Sequence, residues 1–581
     1  MKDLATRFDE FIANKYPTLK FRPQQREVIL DIIETFYEGK TDFYLLDAPT
    51  GSGKSVIAIL FSDFVSSEGK TGYILASDLA LHAQYVNDFE NFGLNWGVVK
   101  GVDNYVCDMN GEKFSVGECK MRGMSGSESA KLQCYGTCGY FSARNRAMKS
   151  PVSLMTYPYA LIQRNYVDDK MKESGQPVPF DKRDFVVCDE AHKVIEIVQN
   201  HFSPVVNDNI YKTAKKLRDF YSNHRFSKPN CDLNFLKRDV DSIEKEEDTE
   251  VLKQKLERIK EQLQGLLSVG ASVKRIAKAN YSTNTRLPKE WRNAMRHLDY
   301  IKDVHCKIED YCFILDKTGL GSMIKNPQEN STVFNCLEER YLMHKHFNSR
   351  FGFKIMMTAT MGKPEDYMRG LSAKSVRYFK INSTFDYSKS PIIYYPGRRM
   401  SMKNKEQNLP WLVEKVSSIL EENKNVPGII HSGSYELANR IYEGLSKEQR
   451  ARVLLYRGTE EKERSLSKFT NLKNMVIMGP SLLEGLNLID DLSRFQIFVK
   501  IPYPSLGDRY VAAKLKNSQK WYNWKTALSI LQGIGRSIRT PDDWAKSYIL
   551  DGCFSDILRS SPDQFPEEFT NRIQLKRTKE E

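Results

Sequence analysis

The sequence predicts an α/β protein with two parallel sheets, each covered by helices on both faces, and with a cysteine-bearing segment and a long helical segment inserted into the first. Three observations carry this. Short apolar runs, each followed by a helical stretch or a turn, recur at Phe43–Leu46, Tyr73–Ala76, Val152–Met155, Phe185–Cys188 and Lys354–Met357, and strands alternating with helices make parallel sheets. The rhythm restarts after Ser390 with IIYY, GIIH, NMVIM, FQIFVKIPYP and SYILD. Between the blocks the strand signal disappears for about 150 residues of charged, helical text.

Residues 1–40 read as helix, with Phe8, Phe11 and Ile12 on one apolar face and Val28, Ile29, Ile32 and Ile33 on another. The first α/β domain then covers 1–100, 141–204 and 349–388, interrupted by a cysteine-bearing segment at 101–140 and a helical insertion at 205–348. In the insertion, Leu252, Leu256, Ile259, Leu263 and Leu266 recur at spacings of 4, 3, 4 and 3, one stripe along a helix and suited to a helical hairpin. The second α/β domain covers 389–581, with helices at WLVEKVSSIL, YELANRIYEGL and TALSILQGIG, and the last residues, QLKRTKEE, read as frayed.

The balance of 87 Lys+Arg against 74 Asp+Glu leaves +13, which favours polyanionic partners. A hydrophobic fraction of 40% with 29 Tyr and 30 Phe excludes a disordered chain. No apolar run reaches the roughly 18 residues that span a bilayer, and the start lacks the apolar core of a signal peptide. A cytoplasmic, nucleoid-associated protein without a membrane partner is expected, and a Lys- and Asn-rich composition hints at a bacterial or phage source.

Ala48-Pro49-Thr50-Gly51-Ser52-Gly53-Lys54-Ser55 fits the phosphate-loop template with Ala in place of the first Gly, after a strand and before a helix. Its glycines let backbone N–H groups close around phosphates, Lys54 neutralises the β and γ charges, and the Ser55 hydroxyl can bind Mg²⁺. Asp189-Glu190-Ala191-His192 follows the strand FVVC. Asp189 can hold the Mg²⁺ and Glu190 can orient and deprotonate an attacking water. Near the other end, Gln532-Gly-Ile-Gly535-Arg536-Ser-Ile-Arg539 sets two arginines three apart, suited to a γ-phosphate reached from the second domain.

Between these motifs lie Cys107, Cys119, Cys134 and Cys138, a C-x11-C-x14-C-x3-C pattern, in a chain whose ten cysteines are too few for a disulfide framework. Four thiolates can hold a [4Fe–4S] cluster or Zn²⁺, and spacing does not decide between them. Around them Lys100, Lys113, Lys120, Arg122, Lys131, Arg144, Arg146 and Lys149 alternate with Tyr105, Phe114, Tyr135, Tyr140 and Phe141, cations and rings such as a single-strand channel uses; a solvated surface over core aromatics explains most of them individually. Cys188, on a strand, reads as a small apolar filler.

The phosphate loop, the DEAH tetrapeptide and the arginine motif, in this order across two α/β domains, resemble the superfamily 2 helicases and, more narrowly, the XPD/DinG family of iron–sulfur DNA helicases. Arg22-Pro-Gln-Gln25 resembles the element ahead of the phosphate loop, which would place Gln25 near the adenine. LASDLALHAQY resembles motif Ia, Thr358-Ala359-Thr360 motif III, GIIHSGSY motif IV and SLLEGLNL motif V; where the family reads E-G-x-D, this chain has Glu484-Gly485-Leu486-Asn487.

The resemblance implies two RecA-like motor domains, a small cysteine-cluster domain stapled by [4Fe–4S], a helical arch, and an ATP- and Mg²⁺-dependent monomeric motor. Travel would be 5′ to 3′ on single-stranded DNA, at forks or R-loops. Two rivals stand beside it. One is a translocase that strips proteins or R-loops; the other is a non-hydrolysing iron–sulfur scaffold, against which the intact Lys54, Glu190 and Arg536 speak.

Overall fold

The computed structural model describes residues 3–49, 51–122, 124, 126–167, 178–280, 287–383, 385–401, 403–480, 482, 492–537 and 543–576. Its first sheet has seven parallel strands: β1 (Phe43–Asp47), β2 (Gly72–Ala76), β3 (Gly97–Val98), β4 (Val152–Thr156), β5 (Phe185–Cys188), β9 (Phe353–Thr358) and β10 (Val376–Lys380), in the order β10-β1-β9-β5-β2-β4-β3. Leu45 and Tyr73 pack into one buried cluster while Tyr44, Leu46 and Ile74 pack into another. Helices on both faces explain why these strands read as unbroken apolar runs.

The second sheet is also seven-stranded, ordered β13-β14-β12-β15-β16-β11-β17. Its strands are β11 (Ile392–Tyr394), β12 (Gly428–His431), β13 (Val453–Leu455), β14 (Val476–Gly479), β15 (Phe495–Phe498), β16 (Lys546–Ile549) and β17 (Ile573–Leu575). Two of the residues read as frayed, Gln574 and Leu575, belong to the edge strand β17, which pairs with β11; residues 577–581 lie outside the described ones.

The insertion differs from its reading as wholly helical. It holds a three-stranded antiparallel sheet, β6-β8-β7, made of β6 (Val205–Val206), β7 (Met323–Gln328) and β8 (Ser331–Cys336). Lys325, Asn326, Pro327 and Gln328 in β7 break the apolar alternation that would announce a strand. The helical hairpin is as expected: Thr249–Asn280 packs on Lys289–Thr318, with Leu252, Leu256, Ile259, Leu263 and Leu266 buried. At 1.5 Å per residue each arm is about 45 Å long.

The cysteine lobe is made of short turns, at Val102–Asn104, Phe114–Val116, Glu118–Met121 and Gln133–Tyr135, ahead of the helix Gly139–Lys149. It leans on the insertion. Leu287 N donates to Glu118 Oε2 at 3.0 Å, and Glu112 faces Arg292 and Arg296 at 3.3 and 3.0 Å.

Candidate nucleotide cleft and cysteine lobe

The loop after β1 turns on two glycines, Gly51 and Gly53, each at φ +80°, a backbone that L side chains resist. Gly53 also faces the end of the Gln25 side chain. A Cβ there would lie 2.3 Å from Gln25 Nε2, the amide that donates to Ser52 O at 2.8 Å. Gln25 Oε1 accepts from Arg22 N at 2.8 Å, and the Arg22 guanidinium donates to Gly51 O. The Arg22-Pro-Gln-Gln25 element therefore braces the loop from behind. At the loop entrance, Ala48 is fully buried and its N–H donates to Thr358 O of β9 at 2.9 Å.

Lys54 opens the helix Lys54–Ser67, and its ammonium donates to Ala48 O at 3.3 Å. Pro49, Ser52 and Ser55 sit where the template puts them, and Thr50 lies outside the described residues.

Asp189 follows β5 and is 3% exposed. Tyr85 donates to its Oδ2 at 2.9 Å and Glu190 N to its Oδ1 at 2.8 Å. Burial lifts this carboxyl to about 6 against the pull of Lys54, and the neighbouring Glu190 charge adds to the lift. Glu190 has φ +52°, an uncommon backbone for a residue with a Cβ and one that clusters at functional sites. Its carboxylate is partly exposed and stands 3.3 Å from His192 Nδ1. That nitrogen is also 3.0 Å from Thr358 Oγ1, and burial pushes His192 down to about 4, so the ring is neutral near pH 7.

Across the cleft, the helix Gln519–Ile534 of the second domain brings Gln532 Nε2 to Thr360 Oγ1 at 3.3 Å, while Thr360 N bonds Thr358 Oγ1 at 3.1 Å. The backbone continues through a 3₁₀ turn, Gly535–Ser537. Arg536's side chain, Arg539 and the segment Glu484-Gly485-Leu486-Asn487 lie outside the described residues. A cavity of about 440 Å³ opens between the domains, lined by Asp47, Pro49, Glu190, His192, Thr360 and Gln532. A second, of about 640 Å³, shares His192, Lys193 and Gln532 with it.

Asp47, Tyr378 and Lys380 also line the first cavity and were missed in the sequence. Tyr378 donates to Asp47 Oδ2 at 3.3 Å, and burial raises Asp47 to about 6 against the pull of Lys380. Asp47 stood in plain view at the strand end; Tyr378 and Lys380 come from β10, whose largely exposed residues VRYFK give no strand alternation.

In the lobe, Cys107, Cys119 and Cys138 are buried and Cys134 is half-buried. Burial pushes Cys119 up to about 12, and Cys107, Cys138 and Cys134 add repulsion. Cys134 and Cys138 are raised in the same way, by burial first and with a contribution from Cys107. The four cysteines thus share one small lobe, three of them buried. Among the described residues no group of three or more His, Cys, Asp or Glu side chains forms a site for a metal ion.

Of the surrounding rings, Phe114, Tyr140 and Phe141 follow the core reading and build the lobe's own interior, with Tyr105 and Tyr135 packed against it. Phe114, Tyr140 and Phe141 are buried, Phe114 packs on Tyr140 at 4.2 Å between centroids, and Tyr135 on Phe141 at 4.8 Å. Arg122, 2% exposed, pairs with Glu118 at 3.6 Å. Lys113, Lys120, Lys131, Arg146 and Lys149 remain on the surface.

Comparison with known proteins gives a consistent picture. The family model described as Helicase C-terminal domain matches residues 419–572, and that described as Type III restriction enzyme, res subunit, matches 18–218. A probable ATP-dependent helicase of Methanocaldococcus jannaschii is 20% identical over 226 residues, 35% of this chain and 33% of that protein. The ATP-dependent DNA helicase chl1 of Schizosaccharomyces pombe is 33% identical over 103 residues, 15% of this chain and 12% of that protein. The matches span a third or less of the length of these curated relatives. Among solved structures, Xpd4 of S. tokodaii aligns with a TM-score of 0.60 at 16% identity over 96% of this chain and 100% of that one. A structure described as an XPD helicase gives 0.60 at 17% over 97% and 100%. At such identity the likeness is one of fold.

Proposed function

We propose that this chain, XPD/DinG-like superfamily 2 helicase in its matched domains and its fold, is an ATP-dependent DNA helicase that translocates on single-stranded DNA. The observation that carries the reading is the bond from Gln532 to Thr360: it joins the second domain to the first at the cavity that Glu190 and Pro49, at the start of the phosphate loop, line. A nucleotide there would touch both domains, so its hydrolysis changes how they sit together.

The loop N–H groups and Lys54 bind the phosphates. Lys54 leaves the Ala48 carbonyl for the β and γ oxygens, an exchange its 3.3 Å bond allows. Ser55 and Asp189 would hold Mg²⁺, whose charge offsets that of the phosphates; the buried Asp189 carboxyl, crowded by Glu190, suits a divalent cation. Glu190, more exposed than Asp189, accepts the proton of the attacking water. Neutral His192 links Glu190 to Thr358 and, through Thr360, to Gln532. Arg536 and Arg539 are the cations assigned to the charge that develops at the γ-phosphate, and Gln25, beside the loop, is the residue assigned to the adenine edge.

Cys107, Cys119, Cys134 and Cys138 would hold a [4Fe–4S] cluster, which supplies a cross-link rather than a reaction. The largely buried thiols and the small size of the lobe favour this role, because turns this short build little core. Lys113, Lys120, Lys131, Arg146 and Lys149 on its surface are the cations offered to the DNA backbone. Travel from 5′ to 3′, action at forks or R-loops and a monomeric state come with the family resemblance. The test is ATP hydrolysis with and without single-stranded DNA. DNA should stimulate it, and Glu190→Gln should abolish it; hydrolysis that survives Glu190→Gln refutes the reading.

A further inference from the structure

We infer that Trp524 is a positioning residue for ATP hydrolysis: its indole seats the helix that carries Gln532 on the loop after β9. The inference rests on the nucleotide reading above and extends it to a residue outside the motifs.

Trp524 belongs to the second domain's helix Gln519–Ile534, yet it is 4% exposed and shares a buried cluster with Met361 and Tyr367 of the first domain. Its Nε1–H donates to Met361 O at 3.0 Å. The next residue, Gly362, has φ +67°, and a Cβ there would stand 2.7 Å from the indole ring. The loop that begins Thr358-Ala359-Thr360 thus ends in a seat that only glycine provides. One turn along the helix Leu528 joins the same cluster, and one turn further Gln532 reaches Thr360. Positions 524, 528 and 532 form a single stripe.

From Trp524 to Gln532 the helix rises about 12 Å. One end is a buried apolar seat pinned by the indole N–H bond to Met361 O. The other end is a single amide-to-hydroxyl bond at the edge of the nucleotide cavity, which a rotation exchanges. Trp524 lines the neighbouring cavity rather than the nucleotide one. It therefore sets where the turn Gly535–Ser537 arrives when the domains close, without contributing to nucleotide affinity.

The experiment measures steady-state ATP hydrolysis at saturating single-stranded DNA for the wild type, Trp524→Phe, Trp524→Ala, Trp524→Leu, Gly362→Ala and the double variant Gly362→Ala/Trp524→Leu. Trp524→Ala should lower kcat about tenfold with KM for ATP within about twofold, and Trp524→Phe, which keeps a ring in the seat, should recover most of it. Gly362→Ala should slow the enzyme, and the double variant should lose less than the product of the single losses, because the smaller side chain relieves the clash. Should Trp524→Ala fail to fold, Trp524→Phe and Gly362→Ala still decide. The inference is overturned if kcat stays within about twofold of wild type in Trp524→Ala, if KM rises while kcat holds, or if the losses at 362 and 524 simply multiply. A wild-type chain that hydrolyses no ATP overturns the nucleotide reading, and this inference with it.

Discussion

At the candidate nucleotide cleft, Asp189 and Thr358 sit at the carboxyl ends of β5 and β9, and the loop that leads to Lys54 leaves β1 between β9 and β10 in the same seven-stranded sheet. In the cysteine lobe, Cys107 hangs on a loop, Cys119 on a four-residue helix and Cys134 on a three-residue turn, while Cys138 precedes the helix Gly139–Lys149. The cleft holds its shape through main-chain ladders and a core on each sheet face. The lobe has a handful of rings and four thiols that repel one another once ionised. A site on a sheet can be emptied without losing its geometry; a site on turns depends on what cross-links it.

The largest expected effect is chemical and confined to the cleft. Glu190→Gln should lower DNA-stimulated ATP hydrolysis by about 10²- to 10⁴-fold, the range for loss of a positioned general base, with the unfolding midpoint unchanged. A shift of that midpoint by several degrees would show that the cleft is less independent of its functional groups than the sheet suggests.

Next in size is the lobe. Cys107→Ser, or a chelator that would strip the iron of the proposed cluster, should remove hydrogen-exchange protection from residues 105–141 and leave the strands of both sheets protected. Protection that persists in the lobe would mean that its aromatic core suffices. Loss spreading into β4, which follows the helix Gly139–Lys149, would mean that the two regions fold as one.

A smaller effect tests the loop itself. Gly53→Ala meets both the φ of +80° and the Gln25 amide, and should weaken nucleotide binding about tenfold in a calorimetric titration, given roughly 1–2 kcal/mol of backbone strain. Unchanged affinity would show that the loop re-forms around its bound phosphates.

A last effect, on stability alone, concerns Asp47. Its carboxyl is raised by burial to about 6 from an ordinary value of 3.8, so the folded state binds the proton more tightly than the unfolded chain. Stability falls as pH rises between those values, and the deficit is complete above about pH 6. Asp47→Asn should therefore stabilise the protein by about 1–3 kcal/mol at pH 7.5, with the gain vanishing below about pH 4. A gain independent of pH would place its cause elsewhere.

The same contrast governs what the sequence disclosed. The phosphate loop is legible because its backbone admits glycine at 51 and 53 and almost nothing else, and the DEAH element because it ends an unmistakably apolar strand. The helical hairpin is legible because a buried stripe needs its leucines at fixed spacing. By contrast, β10 has largely exposed residues and β7 and β8 carry lysine, asparagine and glutamine, so alternation does not mark them. The rings of the lobe are ambiguous in sequence: basic residues interleaved with aromatics describe a DNA surface and a small core alike, and burial separates them. Trp524 gave no signal, since one apolar residue on an apolar helix does not say which domain it enters.

The claim on which the rest depends is that nucleotide in the cleft draws the two α/β domains together. Fluorescent labels introduced at the exposed positions Glu34 and Glu421, one on each domain, measure it by energy transfer. Addition of a non-hydrolysable ATP analogue with single-stranded DNA should shorten the distance by several ångströms in the wild type and leave it unchanged in Lys54→Ala. A wild-type distance that does not respond to nucleotide would contradict the account.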